Sequence, residues 1–237
     1  MSGIQIVVPG LAFDSNNAGY IPPVADALEY INFFADGTDP TRNLAPGKPA
    51  VSSVGSPQIT GNALIVTTGA KYLITHVSDV AEQTYLAVAA PDTSFAGSQQ
   101  LIGNYSGEDG GVVLRFNGSS PANNSLFSSV SGGFKEASRS MSTTGARLLI
   151  GRRSFSANVQ ELYTGNGTTT RSLDGQAMDA SPNSIRVGST HTSAVFGNLT
   201  PIYAAAIWNR RLTDAEIETV RSYMLRYFTI KGVPVDV

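Results

Sequence analysis

Ile202-Tyr203-Ala204-Ala205-Ala206-Ile207-Trp208 leads without a break into Asn209-Arg210-Arg211-Leu212-Thr213-Asp214-Ala215-Glu216-Ile217. The first seven residues read as an apolar β-strand, which places Trp208 in the core or at a helix contact. The period then changes. Thr213 is an N-cap with Glu216 three residues on, a capping box, and Leu212 with Ile217 can close a hydrophobic staple around it. Ile217, Val220, Met224 and Phe228 follow at helical spacing, predicting a helix over 213–228 with one stripe on a sheet and Glu218 and Arg226 in water. Asp214 and Glu216 also suit the positive end of the helix dipole, so the acidic series Asp214, Glu216, Glu218 reads as a packing element and not as chemistry.

Upstream, short β-like runs recur at close intervals. Leu28 to Phe34, Gly61 to Val66 and Lys71 to His76 have the branched and aromatic content of strands. Thr84 to Ala90 is apolar on both parities and ends at Pro91-Asp92, as a central, well-buried strand does. Gln99 to Asn104 and Gly111 to Asn117 make an adjacent pair, joined by the Gly-rich and acidic Ser106 to Gly110. Arg147 to Gly151, Asn158 to Thr164 and Ser184 to Gly188 continue the series, and Asn166-Gly167 is a hairpin cue. Roughly ten to thirteen strands with no alternating helices favour two antiparallel sheets in a sandwich or jelly roll over a doubly wound fold. The Ser/Thr/Asn/Gly-rich stretch Asn117 to Thr144 is too long for a structureless loop, so it is expected to contain an extra hairpin, with Phe127, Val130, Phe134 and Met141 docking on the sandwich or on a neighbour.

The chain has 237 residues, 41% hydrophobic and 14% charged, with 24 Gly and 12 Pro spread throughout. It reads as one main domain over 28–237, preceded by residues 1–27, an arm or accessory edge strand built on Ile4-Gln5-Ile6-Val7-Val8 and closed by Pro22-Pro23. Sixteen Lys plus Arg against eighteen Asp plus Glu give a net charge of -2, which argues against nucleic acid as a partner. No cysteine and two histidines remove thiolate chemistry and most zinc motifs. No window is apolar enough for a membrane insertion, and the N-terminus reads as having no signal peptide, so synthesis in a host cytoplasm is expected.

The stretch Ser184-Ile185-Arg186-Val187-Gly188-Ser189, then Phe196-Gly197, then Ile202 to Ile217 resembles the C-terminal signature of concanavalin A-like lectin/glucanase domains, in particular the laminin-G and pentraxin-like branch. Glu82 to Asp92 and Leu101 to Asn104 are similar to its early strands. The resemblance implies an all-β, concanavalin A-like antiparallel β-sandwich (jelly roll) with a short C-terminal helix. The compact form ending in Trp208 to Glu216 also looks like domains of bacteriophage and prophage structural proteins. That implies a virion structural, capsid-decoration or tail receptor-binding protein, particle-associated, homo-oligomeric and in contact with other virion or surface-assembly proteins.

Sites are sparser. The Glu-x-Asp-x-x-Glu spacing of glucanases does not occur, no Gly-x-Ser-x-Gly elbow raises a nucleophile, and His76 near Asp79 is a commonplace pairing, so the protein is expected not to be an enzyme. The alternatives are a calcium-dependent glycan-binding lectin and, further off, an atypical polysaccharide hydrolase. A glycan at the rim needs flat aromatic faces and hydrogen-bonding groups, and the candidates are Tyr105 beside Asn104, Tyr163 before Asn166, and Arg152-Arg153 in a polar loop beside Phe155. Calcium is the one cofactor that the resemblance implies, with Glu108, Asp109 and Asn117 as donors around one hairpin and Asp174 and Asp179 flanking another loop. His191 reads as a solvent-facing loop residue.

Overall fold

A computed structural model describes residues 20–117, 123–140, 145–165, 167–192 and 197–236. The Ile4 to Val8 run, Asn166, Met141 and Phe196 lie outside these residues. In chain order the strands begin with β1 (Leu28–Phe33), β2 (Ser52–Val54), β3 (Gln58–Thr60), β4 (Ala63–Val66), β5 (Tyr72–Ile74) and β6 (Glu82–Ala89). They continue as β7 (Gln99–Gly103), β8 (Val112–Phe116), β9 (Asn123–Val130), β10 (Gly133–Ser140), β11 (Ala146–Ser154) and β12 (Val159–Thr164). The chain ends with β13 (Gly167–Ser172), β14 (Arg186–Val187), β15 (Thr200–Trp208), helix α1 (Asp214–Ile230) and β16 (Val235–Asp236).

These strands form two sheets. The first runs β13-β12-β11-β6-β15-β4-β3, with β1 on β15 and β16 on β11; the second runs β10-β9-β8-β7-β14-β5-β2. All pairings between strands are antiparallel except β16 with β11. The expected jelly-roll sandwich with one C-terminal helix is therefore the observed fold. The strands outnumber the expectation because short or polar ones carry little apolar signal. Asn123 to Val130 and Gly133 to Ser140 form the hairpin anticipated within the 117–144 stretch, with Val130 opposite Gly133.

Alternation explains why β6 is apolar on both parities. Tyr85, Ala87 and Ala89 point between the sheets with Leu101, Leu114, Leu126 and Leu149, whereas Leu86 and Val88 point outward to join Leu148, Ile150, Ala204, Ala206 and Trp208. Helix α1 covers that outer layer with Ile217, Val220, Met224 and Phe228. Burying four such side chains at roughly 1.5–3 kcal/mol each outweighs any terminal effect, so packing decides that the helix forms and the cap decides where it starts.

The helix start is fixed three times over. Thr213 Oγ1 accepts from Glu216 N at 3.3 Å, and the Glu216 carboxylate accepts from Thr213 N at 2.8 Å, the reciprocal capping box. Thr84 Oγ1 accepts from Leu212 N at 3.0 Å and donates to Arg210 O at 2.9 Å, tying the preceding turn to β6. The third tie is ionic. Arg152, on β11 and 2% exposed, donates to Glu161 at 2.6 and 3.2 Å, to Leu212 O at 2.5 Å and to Asp214. Arg211 donates to the same Glu161 at 2.7 Å. Burial works against both charges of the Arg152–Glu161 pair, but their hydrogen bonds and mutual attraction prevail, holding the carboxyl below and the guanidinium above its usual pKa.

Three outcomes check this account. Thr213→Ala should lower stability by about 1 kcal/mol in urea unfolding, since it removes the cap acceptor. Glu161→Ala, which leaves Arg152 buried without its main partner, should cost roughly 3 kcal/mol or more, and the double variant Arg152→Met/Glu161→Leu should be less damaged than Glu161→Ala alone. Glu216 is held down to about 2, foremost by the Arg210 guanidinium and then by Thr213. A depressed carboxylate stabilises fully above its unfolded value near 4.5 and loses that contribution as pH falls toward 2. The unfolding midpoints of wild type and Glu216→Gln should therefore converge across that window, and a gap constant with pH would count against the Arg210–Glu216 pair.

Candidate functional site

The loop between β7 and β8 is built from its own polar groups. Ser106 N donates to Gly110 O at 3.1 Å, and Asp109 N donates to Ser106 Oγ at 2.8 Å. Asn104 anchors its base: buried, it accepts from Val112 N at 3.0 Å and donates to Asn183 O at 3.0 Å. The segment ending at Asp179 runs alongside, with Gly111 N donating to Asp179 O at 3.0 Å and Asp179 N to Ser129 O at 3.3 Å. This close approach requires glycine at position 110, where φ is +71° and a Cβ would collide with the backbone and side chain of Asp179.

Three aromatic rings meet beside this loop. Tyr105 packs edge-on to Phe127 at 4.8 Å between ring centres, and Phe134 stacks on Phe127 at 4.8 Å with 25° between planes. Register accounts for the pair: Phe134 lies opposite Ser129 and Phe127 opposite Glu136, so the two rings are diagonal neighbours on one face of the β9–β10 hairpin. Phe127 is 6% exposed, whereas Phe134 is 61% exposed and offers its outer face to solvent. Gly132, at φ +93°, closes the hairpin turn without adding a side chain. The result is a groove of about 410 Å³ lined by Tyr105, Phe127, Phe134, Ser129, Ser131 and Asp179, among others. A second cleft of about 390 Å³ lies across Gly107, lined by Ser106, Glu108, Asp109, His191 and Thr192.

The candidates from the sequence are thus dispersed. Tyr105 lies at the groove and Asn104 beneath it as an anchor, while Glu108 and Asp109 line the second cleft. Asn117 lies beyond the other end of β8, where its side chain donates to Glu136 at 3.1 Å. A five-residue strand, about 17 Å long, separates it from the loop, so Glu108, Asp109 and Asn117 do not fit one calcium shell. Among the described residues no group of three or more His, Asp or Glu side chains converges as metal ligands do. His191 is half-buried, with its ring against Ser184 O at 2.9 Å and its backbone N–H on Tyr105 O at 2.8 Å; it braces the loop instead of facing solvent.

Tyr163 belongs elsewhere. On β12 of the other sheet, it donates to Asp214 at 3.0 Å and lies under the Arg152 guanidinium, 4.9 Å from its ring centre. Arg152 and Arg153 are not in a loop but inside β11, paired on one side to β6 and on the other to β12. Both are buried: Arg152 in the cluster at the helix start, Arg153 against Asp79 and Val80 O. The adjacent arginines read as polar loop because the sequence does not show the carboxylates that fold brings to them. Asp79, taken up by Arg153, is likewise not an orienting partner for His76, which lies 3.6 Å from Glu29.

Phe127, Phe134 and Asp179 were not anticipated as rim residues together. The available signal was an aromatic on each arm of a hairpin turning at Gly132-Gly133, and it needed the register to be read.

No protein-family model and no curated protein sequence matches the chain. Solved structures do share its fold. The receptor binding domain of botulinum neurotoxin C/D mosaic serotype aligns with TM-score 0.67 and 10% identity, covering 85% of this chain and 52% of that one. The binding domain of botulinum neurotoxin serotype D aligns at 0.65 and 10%, covering 85% and 53%. The serotype D ligand binding domain in complex with N-acetylneuraminic acid aligns at 0.64 and 11%, covering 85% and 52%. The chain therefore spans about half the length of the solved chains it resembles, and at such identities the likeness is one of fold. It corrects the expected placement: the sandwich is that of neurotoxin binding domains, and the laminin-G/pentraxin-like and bacteriophage or prophage structural assignment does not stand, nor do the virion, capsid and tail roles drawn from it. The Ile185 to Ile217 signature records a buried strand followed by a capped amphipathic helix, which is a demand of the architecture and not of one branch. What the likeness establishes is the fold, a jelly-roll sandwich shared with these binding domains.

Proposed function

We propose that the protein is a non-enzymatic recognition module that binds glycans at the Tyr105–Phe127–Phe134 groove. The observation that carries this is Phe134, an exposed ring stacked on a buried one at the edge of a groove otherwise lined by hydroxyl, carboxylate and backbone groups. A sugar ring has an apolar face of C–H groups and a rim of hydroxyls, so it needs one flat aromatic surface and several hydrogen-bonding groups around it. Phe127 holds Phe134 in place, which lowers the entropy cost of presenting it. Ser129, Ser131 and Asp179 offer donors and acceptors at the same edge. Among the neurotoxin domains with this fold one is described with a bound sugar. Because the present chain spans about half of that one, the groove and not that ligand supports the reading.

Phe134→Ala and Tyr105→Ala should each weaken glycan binding about tenfold, the scale of a lost aromatic contact, in calorimetric titration against the best binder from a glycan array. Phe134→Ala should cost no more than about 1 kcal/mol in unfolding, the scale of a cross-strand pair, because the ring is largely exposed. Tyr163→Ala should leave affinity unchanged, since Tyr163 lies at the helix start on the other sheet. Equal affinity of wild type and Phe134→Ala for every glycan would overturn the reading.

A further inference from the structure

We propose that the saccharide taken by the Tyr105–Phe134 groove is uncharged or bears an amino group, and that acidic sugars are excluded from it by the carboxylates around the 105–110 loop. This deepens the glycan reading and rests on it.

The charge distribution carries the argument. The groove lining contains one carboxylate, Asp179, and neither lysine nor arginine. The adjoining cleft adds Glu108 and Asp109, again with no lysine or arginine. All three carboxylates are exposed, and none takes part in an ion pair among the described residues. The cations beside these clefts are already engaged: Arg115 lies 5.2 Å from the Phe127 ring centre and pairs with Glu136 at 3.1 Å, and Arg186, whose charge His191 feels, donates to Thr190 O at 2.7 Å and lies 4.6 Å from the Tyr72 ring centre. His191 adds no compensating charge at neutral pH, because burial, ahead of the opposing hydrogen bond to Ser184 O, lowers its pKa below the usual imidazole value.

A ligand on Phe134 therefore meets negative potential and acceptor groups. Sugar hydroxyls can donate to Asp179, and an ammonium group would be attracted. A sialic or uronic acid carboxylate would be set among like charges within a Debye length of about 8 Å, with no guanidinium in either lining to receive it. A sugar chain long enough to cross Gly107 would place its second unit beside Glu108, Asp109 and His191, where the same preference applies.

The test is an array of oligosaccharides in matched neutral, amino-bearing and acid-capped forms, probed with the full chain, followed by titration of the binders at low and physiological salt. Neutral and amino-bearing members should bind at least about tenfold tighter than their sialylated or uronic counterparts at low salt, the gap narrowing as salt rises. Asp179→Asn, which keeps the side-chain size at an exposed position, should reduce the gap several-fold while Phe134→Ala weakens every member. Acidic glycans that bind as well as or better than neutral ones, with binding still lost in Phe134→Ala, would overturn the charge preference and leave the glycan reading standing. Binding by no glycan, or binding indifferent to Phe134→Ala, would overturn the glycan reading and this inference with it.

Discussion

Burial of the first sheet on both faces is the constraint around which the molecule is organised. Strands β6, β11 and β15 lie side by side, and each sends alternate apolar residues to the second sheet and to helix α1. Without the helix, Leu86, Val88, Leu148, Ile150, Ala204, Ala206 and Trp208 would form a contiguous apolar surface of the kind that soluble monomers avoid. The connection from β15 to α1 is short and closely tied for that reason. Trp208, fully buried, also donates its indole N–H to Val24 O at 3.0 Å, drawing the chain before β1 into the same layer.

The polar ties at the helix start follow from this requirement. Arg152 sits on a central strand, where a cation is costly unless its hydrogen bonds are met, and Glu161, Leu212 O and Asp214 meet them. The cluster links β11, β12 and the first turn of the helix, so it sets direction more than stability. An apolar replacement of matched volume would pack, but nothing in it would select the helix register that places Asp214 over Tyr163. Arg147 is treated similarly between the sheets, held by Asn124 at 3.1 Å and stacked 5.4 Å from the Phe116 ring centre.

The two sheets differ in what covers them. Helix α1 closes the outer face of the first. On the second, Phe127, Ser125 and Arg115 share the outer face, and the cover is made by the strands' own side chains and by loops: Arg186 of β14 lies 4.6 Å over the Tyr72 ring, Phe134 of β10 caps Phe127, and His191 braces Tyr105 from a loop. Cover made of single side chains and loops leaves gaps, and both clefts around Gly107 are such gaps. The open clefts therefore sit on the sheet that has no helix, where side-chain identity can vary without exposing the core.

That division also decides what was legible. The capped helix, the two-sided strand β6 and the core role of Trp208 each follow from periodicity within a dozen residues, and they appear where the spacing puts them. Strand β9, Asn-Asn-Ser-Leu-Phe-Ser-Ser-Val, does not read as a buried strand, because its inward Asn124 is satisfied by Arg147 on β11 and by Arg139 O across the hairpin, partners that only the fold supplies. Arg152 and Arg153 mislead for the same reason, their carboxylates lying on other strands. The groove is the extreme case: Tyr105 and Asp179 come from two separate connections and Phe127 and Phe134 from the two strands of a hairpin, and their chemistry exists only once the hairpin register and the approach at Gly110 are set. A local pattern can state that a chain must bury a face; which rings and carboxylates end up sharing an open edge depends on pairings made across the whole sheet.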